Sequence, residues 1–220
     1  MKQTKIDWCD STINPVVGCP NNCEYCYARK LNARFGFISD WSKPQFFPER
    51  LKEFESKKPK SIFIDSMSDI GTWKEEWLEE TVKAISKNTQ HHYIALTKTD
   101  VNVLVDKLIE ADLPQEAIVW LGKTVTTQKQ ADMSLEQITD FLSIEPILEE
   151  LDFSQTACST RAVIIGAETG NRKGRVIPKR EWIERIVSDC DAVGVKVFMK
   201  ESLRTLMGED FRQDKLMWMR

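Results

Sequence analysis

Three cysteines, Cys19, Cys23 and Cys26, lie within eight residues of one another near the start of the chain. Their spacing is C-x3-C-x2-C. Thiolates this close repel one another unless a cation or an iron–sulfur cluster shares them. Structural zinc and electron-transfer clusters usually take four protein ligands. Three thiols in one loop therefore predict a metal centre with one open coordination position.

The bulk properties fit an ordinary globular protein. The chain has 220 residues and a formal net charge of −3, and this length is enough to bury a core without disulfides. The charge balance argues against a protein that coats nucleic acid with its whole surface, but it allows a local basic patch. The first residues carry no apolar signal segment, and no later stretch reaches membrane-spanning length. The sequence thus predicts a cytoplasmic, reducing location without a membrane partner.

The elements around the cysteines follow from local pattern. The apolar run at residues 15–17 predicts the end of a first strand that leads into the cysteine loop. Helix formers over residues 27–35, closed by Gly36, predict a helix directly after the loop. The three thiols are therefore expected between a strand and a helix, and a second, short helix is expected near 49–55.

From residue 61 onward, β-branched and aromatic runs alternate with amphipathic helical stretches. Strands are expected over 61–65, 92–96, 118–122, 138–144, 162–166 and 195–199, and helices over 73–87, 101–111, 127–136 and 179–192. This alternation predicts βαβ units with a parallel sheet.

The number of units bounds the fold. A closed eight-fold barrel typically needs about 250 residues, so an incomplete parallel barrel fits this chain better, with a doubly wound sheet as the alternative. No linker or repeat is visible, and we expect a single α/β domain over residues 1–220. It would contain the cluster loop at 18–27 and a C-terminal tail at 201–220 that packs back on the body or meets another chain.

Polar residues follow nearly every predicted strand, at the ends where active sites of parallel α/β proteins gather. In chain order they include Ser66, Ser68, Asp69, Lys98, Lys123, Thr124, Glu145, Glu168 and Lys200. Any single one is explained equally well as a helix cap or a solvated group. As a set, they are expected to ring the mouth of one pocket around the three thiols.

The cysteine spacing, with Tyr25 directly before the third cysteine, resembles the signature of the radical SAM superfamily, C-x3-C-x-aromatic-C. Over nearly its whole length the chain also resembles a small phage-associated branch of that superfamily. The similarity rests on the segments W-C-D-S-T-I-N-P-V-V-G-C, P-E-R-L, S-M-S-D, L-T-K, L-G-K-T-V, S-I-E-P-I-L, I-I-G-A-E-T-G and V-F-M-K. Cys9 and Thr99 depart from it, since the branch usually has threonine and arginine there. The resemblance implies a partial (β/α)6 barrel.

The resemblance also implies a chemistry. Cys19, Cys23 and Cys26 would hold a [4Fe–4S] cluster whose fourth iron chelates the amino and carboxylate groups of S-adenosylmethionine (SAM). The reduced cluster would cleave SAM to methionine and a 5′-deoxyadenosyl radical, which abstracts hydrogen from a substrate. A one-electron donor of the flavodoxin or ferredoxin type is implied as a partner.

Site roles carry over from the same resemblance. Tyr25 would contact the adenine, while Ser66, Ser68 and Asp69 would accept hydrogen bonds from the SAM ammonium group. The remaining assignments are Lys98 or Lys123 for the SAM carboxylate, Thr124 and Glu145 for the ribose hydroxyls, Gly166 for close approach to the adenine, and Glu168 and Lys200 as catalytic residues facing the substrate.

Arg172, Lys173 and Arg175 lie on a loop that follows a predicted strand. A flexible basic loop near a pocket holds phosphates, which predicts a nucleotide or a nucleic-acid base as the substrate. A solvated charged loop explains the residues equally well, and a peptide or small metabolite is the competing substrate. The alternative for the cysteines is a non-catalytic zinc or iron–sulfur module, with a fourth ligand from a residue such as Cys9, His91 or His92.

Overall fold

A computed structural model describes residues 4–219, and the chain divides into two compact units, residues 1–120 and 121–220. The fold is α/β, since short parallel strands alternate with helices in both units. None of the helices in the described range is both long and apolar enough to cross a bilayer.

Among the described residues of the first unit, parallel pairing joins β1 (Ser11–Thr12), β4 (Ser61–Phe63) and β5 (His92–Thr97). A separate antiparallel pair contains β2 (Val16–Val17) and β3 (Gln45–Phe46). The first parallel strand therefore lies earlier than expected, and the apolar run at 15–17 belongs to the small pair instead. A polar two-residue strand has no apolar pattern that the sequence would reveal.

Helices of the first unit match their predicted positions closely. They are α1 (Tyr27–Phe35), α2 (Glu75–Ser86) and α3 (Val101–Glu110). Helix α1 ends at Gly36, which has a positive φ of 65° and donates its N–H to the carbonyl of Asn32, as its C-terminal glycine predicted. The short helix expected near 49–55 is a 3-10 segment, Pro48–Glu55.

The second unit contains a continuous set of parallel pairs. Strand β6 (Ile118–Thr124) pairs through its last three residues with β7 (Phe141–Ile144), which pairs with β8 (Ala162–Ile165), which pairs with β9 (Lys196–Met199). Every residue of β7 and β8 is buried. Parallel strands covered on both faces read as continuous apolar runs, which is why the sequence predicted them.

Three helices accompany these strands in the described part of the second unit: α4 (Gln128–Ser134), α5 (Arg180–Val193) and α6 (Arg204–Met207). The inward side of α5 buries Ile183 and Ile186 in a core with Leu142 and Val163. The chain then returns along this body, because Trp218 is fully buried with its ring centre 4.8 Å from that of Phe141. The prediction that the tail packs back is confirmed for its described residues.

Candidate functional site

The cysteine loop begins at Gly18, where the backbone has a positive φ of 107°. The N–H of Gly18 donates to the carbonyl of Met67 at 3.0 Å, and the N–H of Cys19 donates to the carbonyl of Trp41 at 2.8 Å. A Cβ at position 18 would lie 2.8 Å from Cδ1 of Ile38, so glycine is needed for both conformation and space. The first thiol is thus carried on backbone that is held from two sides.

The other end of the loop is joined to α1. Cys26 is the N-cap residue of this helix, and its Sγ accepts the N–H of Arg29 at 3.3 Å. The guanidinium of Arg29 reaches back to donate to the side-chain oxygen of Asn22 and, at 2.9 Å, to the carbonyl of Cys23. Hydrogen bonds from Arg29 thus hold this end of the loop against the first turn of α1.

All three loop thiols are free and half-buried. The pKa of the Cys19 thiol is raised to about 11, mainly by burial; the charges of Asp69 and Cys23 also raise it, while the N–H of Asn21 and the charge of Lys98 lower it. Within residues 4–219, no three side chains of the His, Cys, Asp and Glu types are grouped to hold a metal ion. The loop therefore collects the thiols without converging them on one point.

The chemistry of the donor set fits an iron–sulfur cluster. Three thiols without a disulfide lie within eight residues, and thiolates are the ligands of such clusters. Zinc would need a fourth ligand, and His91 is committed elsewhere: it is fully buried, its Nδ1 accepts the N–H of Lys60 at 3.1 Å, and its Nε2 donates to the carbonyl of Phe54 at 2.8 Å.

Asp69 connects the cysteine loop to the strand ends of the first unit. Its Oδ2 accepts from Nδ2 of Asn21 at 2.6 Å and from the backbone N–H of Lys98 at 3.0 Å. Its Oδ1 accepts from Oγ1 of Thr97 at 2.6 Å and from the N–H of Gly71 at 3.1 Å. Because four donors share this buried carboxylate, it fixes the loop relative to the residues that follow β4 and β5.

A second buried carboxylate, Asp65, lies in the same region and was missed from the sequence. Its oxygens accept the N–H of Ile70 at 3.2 Å and the N–H of Leu96 at 3.2 and 3.3 Å. Burial, with the charge of Asp69 adding to it, raises the pKa of Asp65 well above its ordinary value. The only signal in the sequence was an aspartate directly after an apolar strand, which more often caps the next turn.

Ser66 and Ser68, predicted to meet an ammonium group, lie between β4 and Asp69 and already have protein partners. The hydroxyl of Ser66 donates to Oδ1 of Asn14 at 3.0 Å, and the Oγ of Ser68 accepts Nε1–H of Trp73 at 3.0 Å. A hydroxyl has one donor and two acceptor lone pairs. Each serine oxygen therefore keeps at least one lone pair that can accept a further hydrogen bond.

Tyr25 and Lys98 are brought together beside the cysteine loop. Nζ of Lys98 lies 6.0 Å from the centre of the Tyr25 ring, and its charge lowers the pKa of Cys19. The structure thus collects eight of the predicted positions in one region of the first unit: Cys19, Cys23, Tyr25, Cys26, Ser66, Ser68, Asp69 and Lys98.

In the second unit, Glu145, Gly166 and Lys200 meet at the ends of β7, β8 and β9. Nζ of Lys200 lies 3.1 Å from Oε1 of Glu145. A Cβ at position 166 would lie 3.1 Å from Cγ of Glu145 and 3.3 Å from Cγ of Lys200, so the glycine allows these two side chains to lie over the strand end. Lys123 and Thr124, at the end of β6, are buried.

Glu168 forms a bidentate pair with Arg172. Its side chain is 2% exposed, and its carboxylate lies 2.6 Å from Nε and 2.8 Å from Nη2 of the arginine. Arg172 is therefore paired inside the protein, and this pairing weakens the prediction that it binds a phosphate.

Arg175, on the same loop, donates to the carbonyl of Gly170 at 2.7 Å and lines an open cavity of about 660 Å³. Other residues lining this cavity include Glu168, Thr169, Ile177, Ser202 and Leu206.

A family model described as a protein of unknown function, DUF5131, matches residues 3–210. No curated protein and no solved structure matches the chain.

Proposed function

The chain belongs to the DUF5131 family of proteins of unknown function, and we propose that it is a radical SAM enzyme. The observation that carries the proposal is the set of three free thiols, spaced C-x3-C-x2-C on the loop between β2 and α1. The alternation of parallel strands and helices in both units supports the partial (β/α)6 barrel of that superfamily. Reduced thiols are kept in the cytoplasm, which is the proposed location.

In this proposal Cys19, Cys23 and Cys26 would hold a [4Fe–4S] cluster, and SAM would bind beside it. When bound, these groups supply one-electron cleavage of the sulfonium and hydrogen abstraction from the substrate. The protein contributes the ligand loop. The N–H of Arg29, in the first turn of α1, donates to Sγ of Cys26, and the Arg29 guanidinium holds the carbonyl of Cys23 in place.

The first unit also supplies the proposed contacts to SAM. Tyr25 and Lys98 lie beside the thiols and are assigned to the adenine and the carboxylate. Ser66 and Ser68 retain acceptor lone pairs for the ammonium group. Asp69 adds negative charge near the proposed ammonium site. Its four hydrogen bonds indicate that its main role is to hold the cysteine loop.

The second unit carries the other residues to which the resemblance gives roles. These are Lys123 as an alternative to Lys98, Thr124 and Glu145 for the ribose, Gly166 for the adenine, and Glu168 and Lys200 for the substrate. Lys200 and Glu145 form an ion pair, which positions both side chains. A nucleotide or nucleic-acid base is the proposed substrate, and Arg175 on the open cavity supports it because guanidinium groups bind phosphate.

Anaerobic reconstitution with iron and sulfide tests the proposal. The wild-type protein is expected to turn brown, to show the EPR signal of a reduced [4Fe–4S] cluster, and to form 5′-deoxyadenosine from SAM with dithionite. Cys23→Ala is expected to lose the cluster. Cys158→Ala is the matched control, because Cys158 is an exposed free thiol outside the loop, and it is expected to behave as wild type.

Two outcomes would overturn the assignment. A colourless protein that binds one zinc ion and leaves SAM intact would identify a structural metal module instead. A full cluster in the Cys23→Ala variant would show that the ligand set is wrong.

A further inference from the structure

The outer face of α1 carries a row of large apolar side chains in solvent. Tyr27, Leu31 and Phe35 are spaced at i, i+4 and i+8 and so share one side of the helix. Phe37 follows the helix, with its ring centre 5.8 Å from that of Phe35. These four residues, named the α1 face, are each between 37% and 58% exposed. Single exposed apolar residues are ordinary, but a contiguous row marks an interaction site.

The charged side chains of helix α1 itself have one sign. The helix contains Arg29, Lys30 and Arg34 and no acidic residue, although the whole chain has a net charge of −3. The guanidinium of Arg34 lies 5.1 Å from the centre of the Phe35 ring. Aromatic and arginine side chains are enriched in protein interfaces, and a basic rim attracts an acidic partner at long range.

The α1 face is held rigid at both ends. The hydroxyl of Tyr27 donates to the carbonyl of Ser66 at 2.7 Å. At the other end, the side chain of Asn32, which is buried in the last turns of α1, bonds to both the N–H and the carbonyl of Ile38 and so fixes the turn that carries Phe37. A preorganised surface loses less conformational entropy when a partner binds.

The α1 face also begins at the cysteine loop. Tyr27 directly follows Cys26, and a helix of nine residues extends only about 13 Å. Electron transfer between proteins falls steeply with distance, so a protein that reduces a centre on this loop must dock next to it. The α1 face offers an apolar, basic surface at that distance.

We propose that the α1 face is the docking surface for an acidic one-electron donor protein of the flavodoxin or ferredoxin class. The identity of this partner rests on the proposed function, whereas the surface itself rests on the exposed row and its charge. An apolar centre formed by Leu31 and Phe35 anchors the donor. Lys30 and Arg34 steer its acidic rim.

Binding is measured by calorimetry with the reconstituted protein, using a flavodoxin and a ferredoxin as probes at low and high salt. Leu31→Ser/Phe35→Ser alters only exposed side chains, and Val103→Ser/Ile109→Ser on α3 is its matched control, with both residues more than half exposed. Lys30→Glu/Arg34→Glu is matched in the same way by Lys57→Glu/Lys58→Glu. Each α1 variant is expected to weaken binding at least about tenfold, and the controls are expected to bind as wild type.

Turnover then separates docking from chemistry. The α1 variants are expected to lose 5′-deoxyadenosine formation with the reduced donor protein and to keep it with dithionite, which needs no docking. Failure of both probes to bind the wild type, or unchanged binding in both α1 variants, overturns the docking surface. Self-association of the protein through these residues, or binding of a single-stranded oligonucleotide to them, also overturns the docking surface. A wild type inert with every reductant defeats the proposed function instead, and the binding data still decide the surface.

Discussion

Nδ2 of Asn21 donates to Oδ2 of Asp69 at 2.6 Å, across 48 positions of the sequence. This bond ties the middle of the cysteine loop to the segment after β4. Thr97 and the N–H of Lys98 reach the same carboxylate from the end of β5. The position of the loop in the first unit therefore depends on one buried side chain.

Replacing Asp69 by alanine removes the acceptor of four donors at once. Buried donors left without an acceptor cost free energy, so the free energy of unfolding of Asp69→Ala is expected to fall by about 3 kcal/mol. Asn21→Ala removes only the bond to the loop and is expected to cost about 1 kcal/mol. Urea denaturation followed by tryptophan fluorescence measures both changes.

Glu110→Ala on α3 is the control for this pair, because Glu110 is an exposed carboxylate. It is expected to change stability by less than about 0.5 kcal/mol. A loss in Asp69→Ala no larger than that of the control would show that the carboxylate does not hold the loop.

The buried Glu168–Arg172 pair predicts that replacing one partner lowers the free energy of unfolding much more than replacing both. Arg172→Met leaves the buried carboxylate without its guanidinium and is expected to cost about 3 kcal/mol. Glu168→Gln/Arg172→Met removes both charges and is expected to lie within about 1 kcal/mol of wild type. Chemical denaturation of the two variants gives the comparison.

An exposed ion pair of the same chemistry serves as the reference. Nη1 of Arg185 lies 3.4 Å from Oε1 of Glu150, and both side chains are at least half exposed. Arg185→Met is expected to cost less than about 1 kcal/mol. Equal losses of unfolding free energy in Arg172→Met and Arg185→Met would show that burial does not make the Glu168–Arg172 pair more important for stability.

Much of the fold was predictable because it depends on local signals. Gly36 stops α1 with a left-handed residue, and the buried runs of β7 and β8 are apolar throughout. Features that leave no local pattern in the sequence were missed. Ser11–Thr12 is a polar pair whose strand character exists only because it pairs with Ile62 and Phe63, about fifty positions later in the chain.

The candidate site divides in the same way. Spacing alone singled out Cys19, Cys23 and Cys26, and strand ends singled out Asp69. The sequence did not reveal that Asp69 is occupied by donors from three separate segments, or that Arg172 is bound to Glu168. Such hydrogen bonds and ion pairs depend on which side chains meet after folding, and a single sequence carries no signal for them.

The return of the tail predicts a large effect from one aromatic residue. Trp218 is fully buried against Phe141, so Trp218→Ala leaves a cavity and is expected to cost about 4 kcal/mol. Lys215→Ala, at an exposed position of the same tail, is expected to be close to neutral. Thermal and urea unfolding measure both variants, and similar stabilities would show that the tail contributes little to the core.

Asp214 predicts a pH-dependent contribution to stability. Its carboxylate accepts from Nε and Nη2 of Arg212 at 2.9 and 2.7 Å and from the N–H of Val197 at 2.9 Å. The bonds from Arg212 are the main cause that lowers the pKa of Asp214 below its ordinary value of 3.8. A carboxyl whose pKa is lower in the folded state stabilises the fold above pH 3.8. This contribution is lost as the pH falls through the folded-state pKa.

Asp214→Asn is therefore expected to lower the free energy of unfolding by about 2 kcal/mol at pH 7, and the difference from wild type is expected to shrink at pH 3. Urea denaturation of both proteins at the two pH values measures this change. Asp106→Asn, an exposed position on α3, is the control and is expected to match wild type at pH 7. A difference for Asp214→Asn that is as large at pH 3 as at pH 7 would show that the charge of this carboxylate is not what stabilises the protein.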